Sequence, residues 1–359
     1  EIFSPENRLN GLSTVYVNSN RDYDDDYGAV KRIYSEGERV LIWKELKVGS
    51  VLINKELLFE DGLSPIGAVG KQNQTLSSLQ YFAGEYGIGS LPESMAVYGK
   101  TYYWADPLRG AILTLGGNGI NRISSSEGAQ QDYFKMNNYF RDKFKKLSQF
   151  FDGDTPHVYG VYHRDSEEYV LAFENYGPTF RTKPPTYLSD GETLSFNDGK
   201  NRWVTFYSFL PDFMCSAGTG LVTWKDGELY LHETNDTYSN FYGQQYTAQV
   251  KAVFNQQPNY VKFYKNILVK ATDKWLMIDG SNEYGQSTVL DQDGDFVDFE
   301  GVYKAAMLQD INTPNVVNPL IEGDDIRSHS FRGNFEYDGT TYSRLFSISA
   351  RWESSEMNT

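Results

Sequence analysis

The sequence predicts an all-β protein, a β-propeller of roughly five to seven four-stranded antiparallel blades with one amphipathic helix added to it. Three observations lead there. Short strand-like runs recur in pairs joined by turn residues, apolar side chains occupy both faces of many of these runs, and abundant aromatics accompany abundant glycine. Aromatic side chains (27 Tyr, 22 Phe and 6 Trp) form 15% of the chain, beside 32 Gly and one Cys. Aromatic residues suit a pleated, half-buried surface, and Gly supplies the tight turns between strands.

The hairpins come in order. Ala29 to Tyr34 and Glu38 to Leu46 flank Ser35-Glu36-Gly37, and Ser94 to Tyr98 and Thr101 to Ala105 flank Gly99-Lys100. Val158 to His163 precedes Glu168 to Phe173, and Leu221 to Trp224 is joined to Leu229 to His232 through Lys225-Asp226-Gly227. A final pair is expected at Gly333 to Tyr337 and Tyr342 to Ala350, around Asp338-Gly339. Asp-Gly between apolar runs is a strong hairpin signal because the turn needs positive φ. Gly110 to Leu115 and Ile120 to Ser124 extend the second hairpin to four strands. Val250 to Asn255, Tyr260 to Lys270, Lys274 to Asp279, Gln286 to Leu290 and Phe296 to Leu308 form another strand-rich run.

The period within these runs is two. Val40 and Ile42 face one way and Leu41 and Trp43 the other; Tyr169, Leu171 and Phe173 oppose Val170 and Ala172. Strands apolar on both sides are covered on both sides, as when sheets stack. A pair of sheets forming a β-sandwich is the alternative arrangement. Gln131 to Phe151 breaks the pattern, with Tyr133, Met136, Phe140, Phe144, Leu147 and Phe151 three or four apart, one face of a helix that Asp152-Gly153 ends. Such a helix packs on a sheet edge or meets another subunit. No low-complexity linker divides the chain, so residues 1–359 read as a single propeller domain, with loops at Asn175 to Gly191 and Ile311 to Gly323. The start at Glu1 without Met is expected for a processed product or a piece of something longer.

Charge and composition exclude several classes. The net charge of −15 disfavours specific nucleic-acid binding, which draws on Lys and Arg to displace counterions. Cys215, as the one cysteine, excludes an internal disulfide and a Cys-rich zinc site. No run reaches the roughly 18 consecutive apolar residues that a membrane-spanning helix needs, so no membrane insertion is expected.

The chemistry-bearing motifs fall short. Gly67-Ala68-Val69-Gly70-Lys71-Gln72 has the look of a Walker tail, but Pro65 stands where the first Gly is required and Gln72 where the Mg²⁺-binding hydroxyl is. Gly116-Gly117-Asn118-Gly119 leads into a strand rather than a helix and reads as a turn. His157, His163, His232 and His329 lack the spacing of a zinc protease, and no Gly-x-Ser-x-Gly elbow nominates a nucleophile; a dispersed Ser/His/Asp triad stays open. Asp291, Asp293 and Asp295, with Glu300 beyond, could wrap a hard cation, yet Gly294 and Glu300 miss the EF-hand positions, and an acidic turn is the plainer reading. Asp22 to Asp26 reads as a solvated loop in the same way. Asp106, Glu93, Asp165, Glu174, Glu233 and Asp279 could supply a glycosidase pair, though a sequence with 48 acids always offers candidates. Ser195-Phe196-Asn197-Asp198-Gly199 leading to Trp203 resembles a sialidase Asp box, with Asn in the Asp position and the Trp one residue late.

Several phrases carry a family resemblance when read together. Tyr86-Gly87-Ile88-Gly89-Ser90-Leu91-Pro92-Glu93-Ser94 runs into Tyr102-Tyr103-Trp104-Ala105-Asp106 and Arg109-Gly110-Ala111, followed by Tyr139-Phe140-Arg141-Asp142. Val158-Tyr159-Gly160-Val161-Tyr162, Arg202-Trp203-Val204-Thr205-Phe206, Leu229-Tyr230-Leu231-His232 and Phe241-Tyr242-Gly243 come after. Their order, over about Asp26 to Ser354, resembles the propeller region of crAss-like phage tail proteins called muzzle or stabilisation proteins and, more loosely, the nozzle proteins of other short-tailed phages. His163 departs from an Asp the family tends to carry there, and the chain is shorter than such tail proteins. The resemblance implies a non-catalytic structural component of the virion tail, assembled in the bacterial host cytoplasm around the DNA exit channel. Its partners would be other tail proteins and copies of itself, with no cofactor, metal or catalytic residue. A glycoside hydrolase or a carbohydrate-binding module gripping a surface glycan is the alternative function. Trp104, Tyr102, Trp203 and Tyr242 are expected to pack in the core first and make contacts second.

Overall fold

A computed structural model describes residues 21–53, 55–60, 64–70, 76–125, 136–148, 157–174 and 191–355. The chain is nearly all β and divides into two compact units, Glu1–Glu233 and Thr234–Thr359.

Unit 1 is a succession of antiparallel meanders. The first sheet orders β1 (Val30–Glu36), β2 (Arg39–Lys44), β3 (Val48–Leu52) and β6 (Gln80–Tyr81), with the hairpin of β4 (Lys55–Glu60) and β5 (Ser64–Gly70) between the last two. The second runs β7 (Ala96–Tyr98), β8 (Thr101–Asp106), β9 (Ala111–Gly116) and β10 (Gly119–Arg122). The third runs β11 (Val158–His163), β12 (Glu168–Phe173), β13 (Glu192–Asn197) and β14 (Arg202–Tyr207). A three-stranded sheet follows, β15 (Phe213–Ala217), β16 (Gly220–Lys225) and β17 (Glu228–Leu231). The first four expected hairpins are therefore present. At the β16–β17 turn Asp226 and Gly227 have φ of 51° and 86°, the doubly positive pair of a type I′ turn.

These sheets stack. Tyr102, Trp104 and Leu113 of the second sheet enter one core with Leu41, Trp43 and Val48 of the first. Their neighbours Tyr103, Ala105 and Ile112 point the other way, into a core with Tyr169, Leu171 and Phe196 of the third. A two-residue period thus serves two cores, which is why β8 is buried at every position from Tyr102 to Asp106. Fully burying a large apolar side chain contributes about 1.5–3 kcal/mol, so the middle sheet anchors both neighbours. Trp43 and Trp104 meet edge-on at 5.8 Å, and Tyr98 stacks on Tyr162 at 4.2 Å.

The expected helix forms as α1 (Asn137–Ser148). Phe140 and Phe144 lie 6.4 and 5.5 Å from the Phe173 ring, and Phe140 packs 4.7 Å from Trp203. Lys143 reaches Glu192 at 3.1 Å. The helix packs on the sheet core rather than standing free. Tyr133 and Phe151, at the expected ends, lie outside the described residues, as does most of the Asn175 to Gly191 loop.

Unit 2 is built differently. β18 (Asn240–Phe241) and β19 (Gln244–Gln245) make a small hairpin. The next strands are β20 (Ala248–Phe254), β21 (Lys262–Ala271), β22 (Leu276–Asn282), β23 (Ser287–Leu290), β24 (Val297–Phe299), β25 (Val302–Ala306), β26 (Arg327–Ser328), β27 (Phe331–Tyr337) and β28 (Leu345–Ser354). They form two sheets, β20-β27-β22-β23 and β24-β25-β21-β26, with β28 also paired to β21. Both feed one core: Tyr264, Ile267 and Val269 of β21 meet Met277, Phe331 and Phe335 of the other sheet. β27 sets buried residues at every second position to Phe335 and β20 alternates half-buried with exposed ones, the pattern of sheets covered on one face, so this unit has the two-layer arrangement of a sandwich.

The fifth expected hairpin does not form. β27 pairs with β20 and β22, whereas β28 pairs with β21 in the other sheet. Neither Asp338 nor Gly339 has positive φ. Instead the Tyr337 ring folds over Gly339, where a Cβ would sit 2.2 Å from the phenol oxygen, and its hydroxyl meets Thr341 Oγ1 at 2.8 Å. Asp-Gly here turns the chain from one sheet to the next. The Ile311 to Gly323 segment is irregular as expected, save for one turn of helix, α2 (Pro319–Glu322).

Candidate functional site

In unit 1, β11 lies beside both β7 and β15, so the first strands of three successive meanders are neighbours. Gly160 makes the closest approach: a Cβ there would lie 1.9 Å from the Ser94 carbonyl oxygen. Among these strands opens a cleft of about 300 Å³, walled by Ala96, Val97, Tyr159, Tyr162 and Phe213, with Arg32 of β1 and Glu93 at its edge. Burial raises the Tyr159 phenol, and Glu174, Glu93 and Asp212 add to the effect. Asp212 is committed elsewhere, accepting from Lys225 Nζ at 2.8 Å and from the Asp226 N–H at 2.7 Å.

The six acids singled out from the sequence are dispersed. Glu93 alone among them lines the cleft. Asp106 is fully buried and accepts from the backbone N–H groups of Gly87, Leu108 and Arg109 at 3.0 to 3.2 Å, with the Arg109 guanidinium 3.6 Å away. Burial nonetheless raises its carboxyl. Its work is to hold the Tyr86 to Ser94 connection, where the Trp104 indole N–H also donates to Gly87 at 2.9 Å. Asp165 is exposed in the β11–β12 turn, Glu233 is exposed, and Asp279 is exposed in unit 2. A glycosidase needs two carboxyls about 5–10 Å apart beside the scissile bond; among the described residues Glu93 is the one in the cleft lining, while Glu174 and Asp212 act on Tyr159 without lining it.

Three of the histidines lie against neighbouring side chains. His163 is buried, its Nδ1 2.7 Å from Ser166 Oγ and its Nε2 3.7 Å from Glu233. That is a serine, a histidine and an acid, but the last distance exceeds hydrogen-bond reach and Ser166 does not line the cleft. His232 Nε2 meets Thr223 Oγ1 at 2.8 Å, and its pKa is lowered to about 4 by burial first and by His163 second. His157 stacks on Tyr159 at 5.9 Å.

The other motifs resolve into scaffolding. Gly67 to Gly70 falls in β5, and Gly116 to Gly119 is the tight β9–β10 turn. Asp198 of the Asp-box-like turn accepts from the Tyr103 hydroxyl and from Tyr162 Oη at 3.1 Å, while the Trp203 indole donates to the Ile123 carbonyl at 3.0 Å. The turn therefore ties the third sheet to the second. Asp293 is 2.6 Å from Lys274 Nζ, which holds its carboxyl below the usual range; Asp291 and Asp295 accept from Gln292 at 2.8 and 2.9 Å. Asp24 accepts from Tyr81 at 3.0 Å and lies 3.5 Å from Lys44. Among the described residues no group of three or more His, Cys, Asp or Glu could hold a metal ion, and no helix is long and apolar enough to cross a membrane. Trp104 and Tyr102 are buried core residues, Trp203 packs half-buried on the core, and Tyr242 is half-buried in unit 2 with φ 54°.

Residues 236–337 match the family model of the Crassvirus muzzle protein C-terminal domain. The match supports a crAss-like phage muzzle protein. It falls entirely within unit 2 and covers its β18 to β27. A phage structural protein is the class this muzzle family supports. No curated protein matches the chain. Among solved structures, the crystal structure of an exo-β-1,3-galactanase from Phanerochaete chrysosporium with β-1,3-galactotriose is similar at 10% identity, covering 88% of this chain and 79% of that one, with a TM-score of 0.25. A likeness that slight carries no argument about fold or activity.

Of the residues that line the cleft, Arg32 and Phe213 carry no motif, and Tyr159 carries only the Val158 to Tyr162 phrase of the family resemblance. The signal that finds them is position: each lies in the first strand of its meander.

Proposed function

We propose that the chain is a non-catalytic structural part of a phage tail, one piece of a longer muzzle protein, in which the sheets of unit 1 stack as propeller blades. The single observation carrying this reading is the muzzle C-terminal domain match over residues 236–337. Two features of the chain support it. Asp106 and Asp198, two of the acids in motifs suggestive of chemistry, are spent on a turn and an inter-sheet tie. Its net charge of −15 suits a wall past which DNA slides without adhering. The partners are neighbouring tail proteins and further copies of the chain, assembled around the DNA exit channel after synthesis in the host cytoplasm.

The test is gold labelling of purified virions with an antibody to residues 236–337. Label on the distal tail is expected. A particle free of the antigen, or release of sugar from oligosaccharides by the purified chain at enzymatic rates, would remove the proposal.

A further inference from the structure

Unit 2 carries a cavity of about 580 Å³ whose walls include Phe263, Tyr284, Gln286, Asp324, Asp325 and Arg327. That volume lies in the range of small-molecule sites, about 300–1,000 Å³. The position of Arg327 is fixed from two sides. Its backbone N–H donates to Gln286 Oε1 at 2.8 Å, its carbonyl accepts from Asn282 Nδ2 at 3.3 Å, and its guanidinium lies 5.7 Å over the Phe263 ring. Yet the buried Nε has no hydrogen-bond partner, and among the described residues no carboxylate pairs with the guanidinium, although two line the same cavity. Asp325 is 3.5 Å from Lys265 instead. Tyr284 leaves 58% of its surface open.

We infer that this cavity binds a neutral pyranose residue, a site independent of the structural reading above. Charge narrows the ligand. An anion would meet Asp324 and Asp325, a cation would meet Arg327, and an apolar ligand would leave the guanidinium without a partner at a cost of about 1–3 kcal/mol. A sugar ring satisfies all three conditions, because each hydroxyl both donates and accepts. Arg327 supplies donors and Asp324 acceptors, Gln286 holds the Arg327 backbone in place, and the open Tyr284 ring offers the flat apolar face that a pyranose covers.

Saturation-transfer NMR on the full chain tests this, with glucose, galactose, mannose, N-acetylglucosamine and their β-linked disaccharides as probes, and glucuronate and glucosamine as charged controls. At least one neutral sugar is expected to receive saturation, with affinity falling about tenfold in Arg327→Gln, the loss of one charge-assisted hydrogen bond. Tyr284→Ala, an exposed change that leaves the core untouched, is expected to weaken the same signal without shifting the melting temperature. Silence from every neutral sugar, stronger binding of either charged control, or a signal indifferent to Tyr284→Ala overturns the inference.

Discussion

The two units use the same two-residue strand period for different ends. In unit 1 neighbouring residues of one strand, such as Tyr102 and Tyr103, enter different cores, so that a sheet is covered on both faces and each meander leans on the next. In unit 2 Phe331, Gly333 and Phe335 face a single core while Arg332 faces out. Connectivity follows suit. Unit 1 pairs each strand mainly with the one before it; unit 2 inserts β27 between β20 and β22 and sets β28 on β21. The lesson is that stacking tolerates purely local pairing, because burial comes from the next sheet, whereas a two-layer core is closed by strands distant in sequence. Distant pairing carries a larger loop-closure cost, so unit 2 should fold more slowly than unit 1.

Each unit can be broken at its own fastening. Gly160→Ala places a methyl group 1.9 Å from a backbone oxygen, a neighbour that cannot rotate aside. Calorimetry should show unit 1 losing about 3 kcal/mol or more while the transition of unit 2 stays in place. The counterpart in unit 2 is Lys262, fully buried, whose ammonium donates to the carbonyls of Gln257 and Tyr260 at 3.2 Å and to that of His329, beneath the Trp352 ring. Lys262→Met keeps the bulk but leaves the carbonyls unsatisfied, and urea unfolding should register a loss of about 2–3 kcal/mol confined to unit 2.

Asp198→Ala removes the acceptor shared by Tyr103 and Tyr162 and should cost unit 1 about 2 kcal/mol, with near-ultraviolet dichroism reporting the loosened tyrosines. The smallest effect sharpens the contrast through pH. His232 titrates at about 4 in the folded chain against 6.5 ordinarily. Between those values the unfolded chain binds the proton more readily, so this contribution is whole above pH 6.5 and lost as pH falls towards 4. Allowing for solvent on its open side, the loss is about 1 kcal/mol, and it should vanish in His232→Gln.

This difference also explains what the letters disclose. Asp226-Gly227 and the runs around it announce a hairpin whose partners are adjacent, and the strand pair forms where expected. Asp338-Gly339 carries the same signal, but the partners of its flanking strands lie far back, at Ala248–Phe254 and Lys262–Ala271, beyond the reach of a local rule. The helix was legible from Phe140 and Phe144 because its apolar stripe is local too. The cleft was not, since Arg32, Tyr159 and Phe213 converge only through the stacking of sheets. Nor was the cavity at Arg327, whose neighbours come from distant strands and turns.

Electron cryomicroscopy of the intact particle tests the account most directly. Density for this chain in the tail, with the sheets of unit 1 stacked as blades and residues 236–337 resolved beside neighbouring tail proteins, is the predicted result. A tail without this chain, or one in which the sheets of unit 1 do not stack as blades, would contradict it.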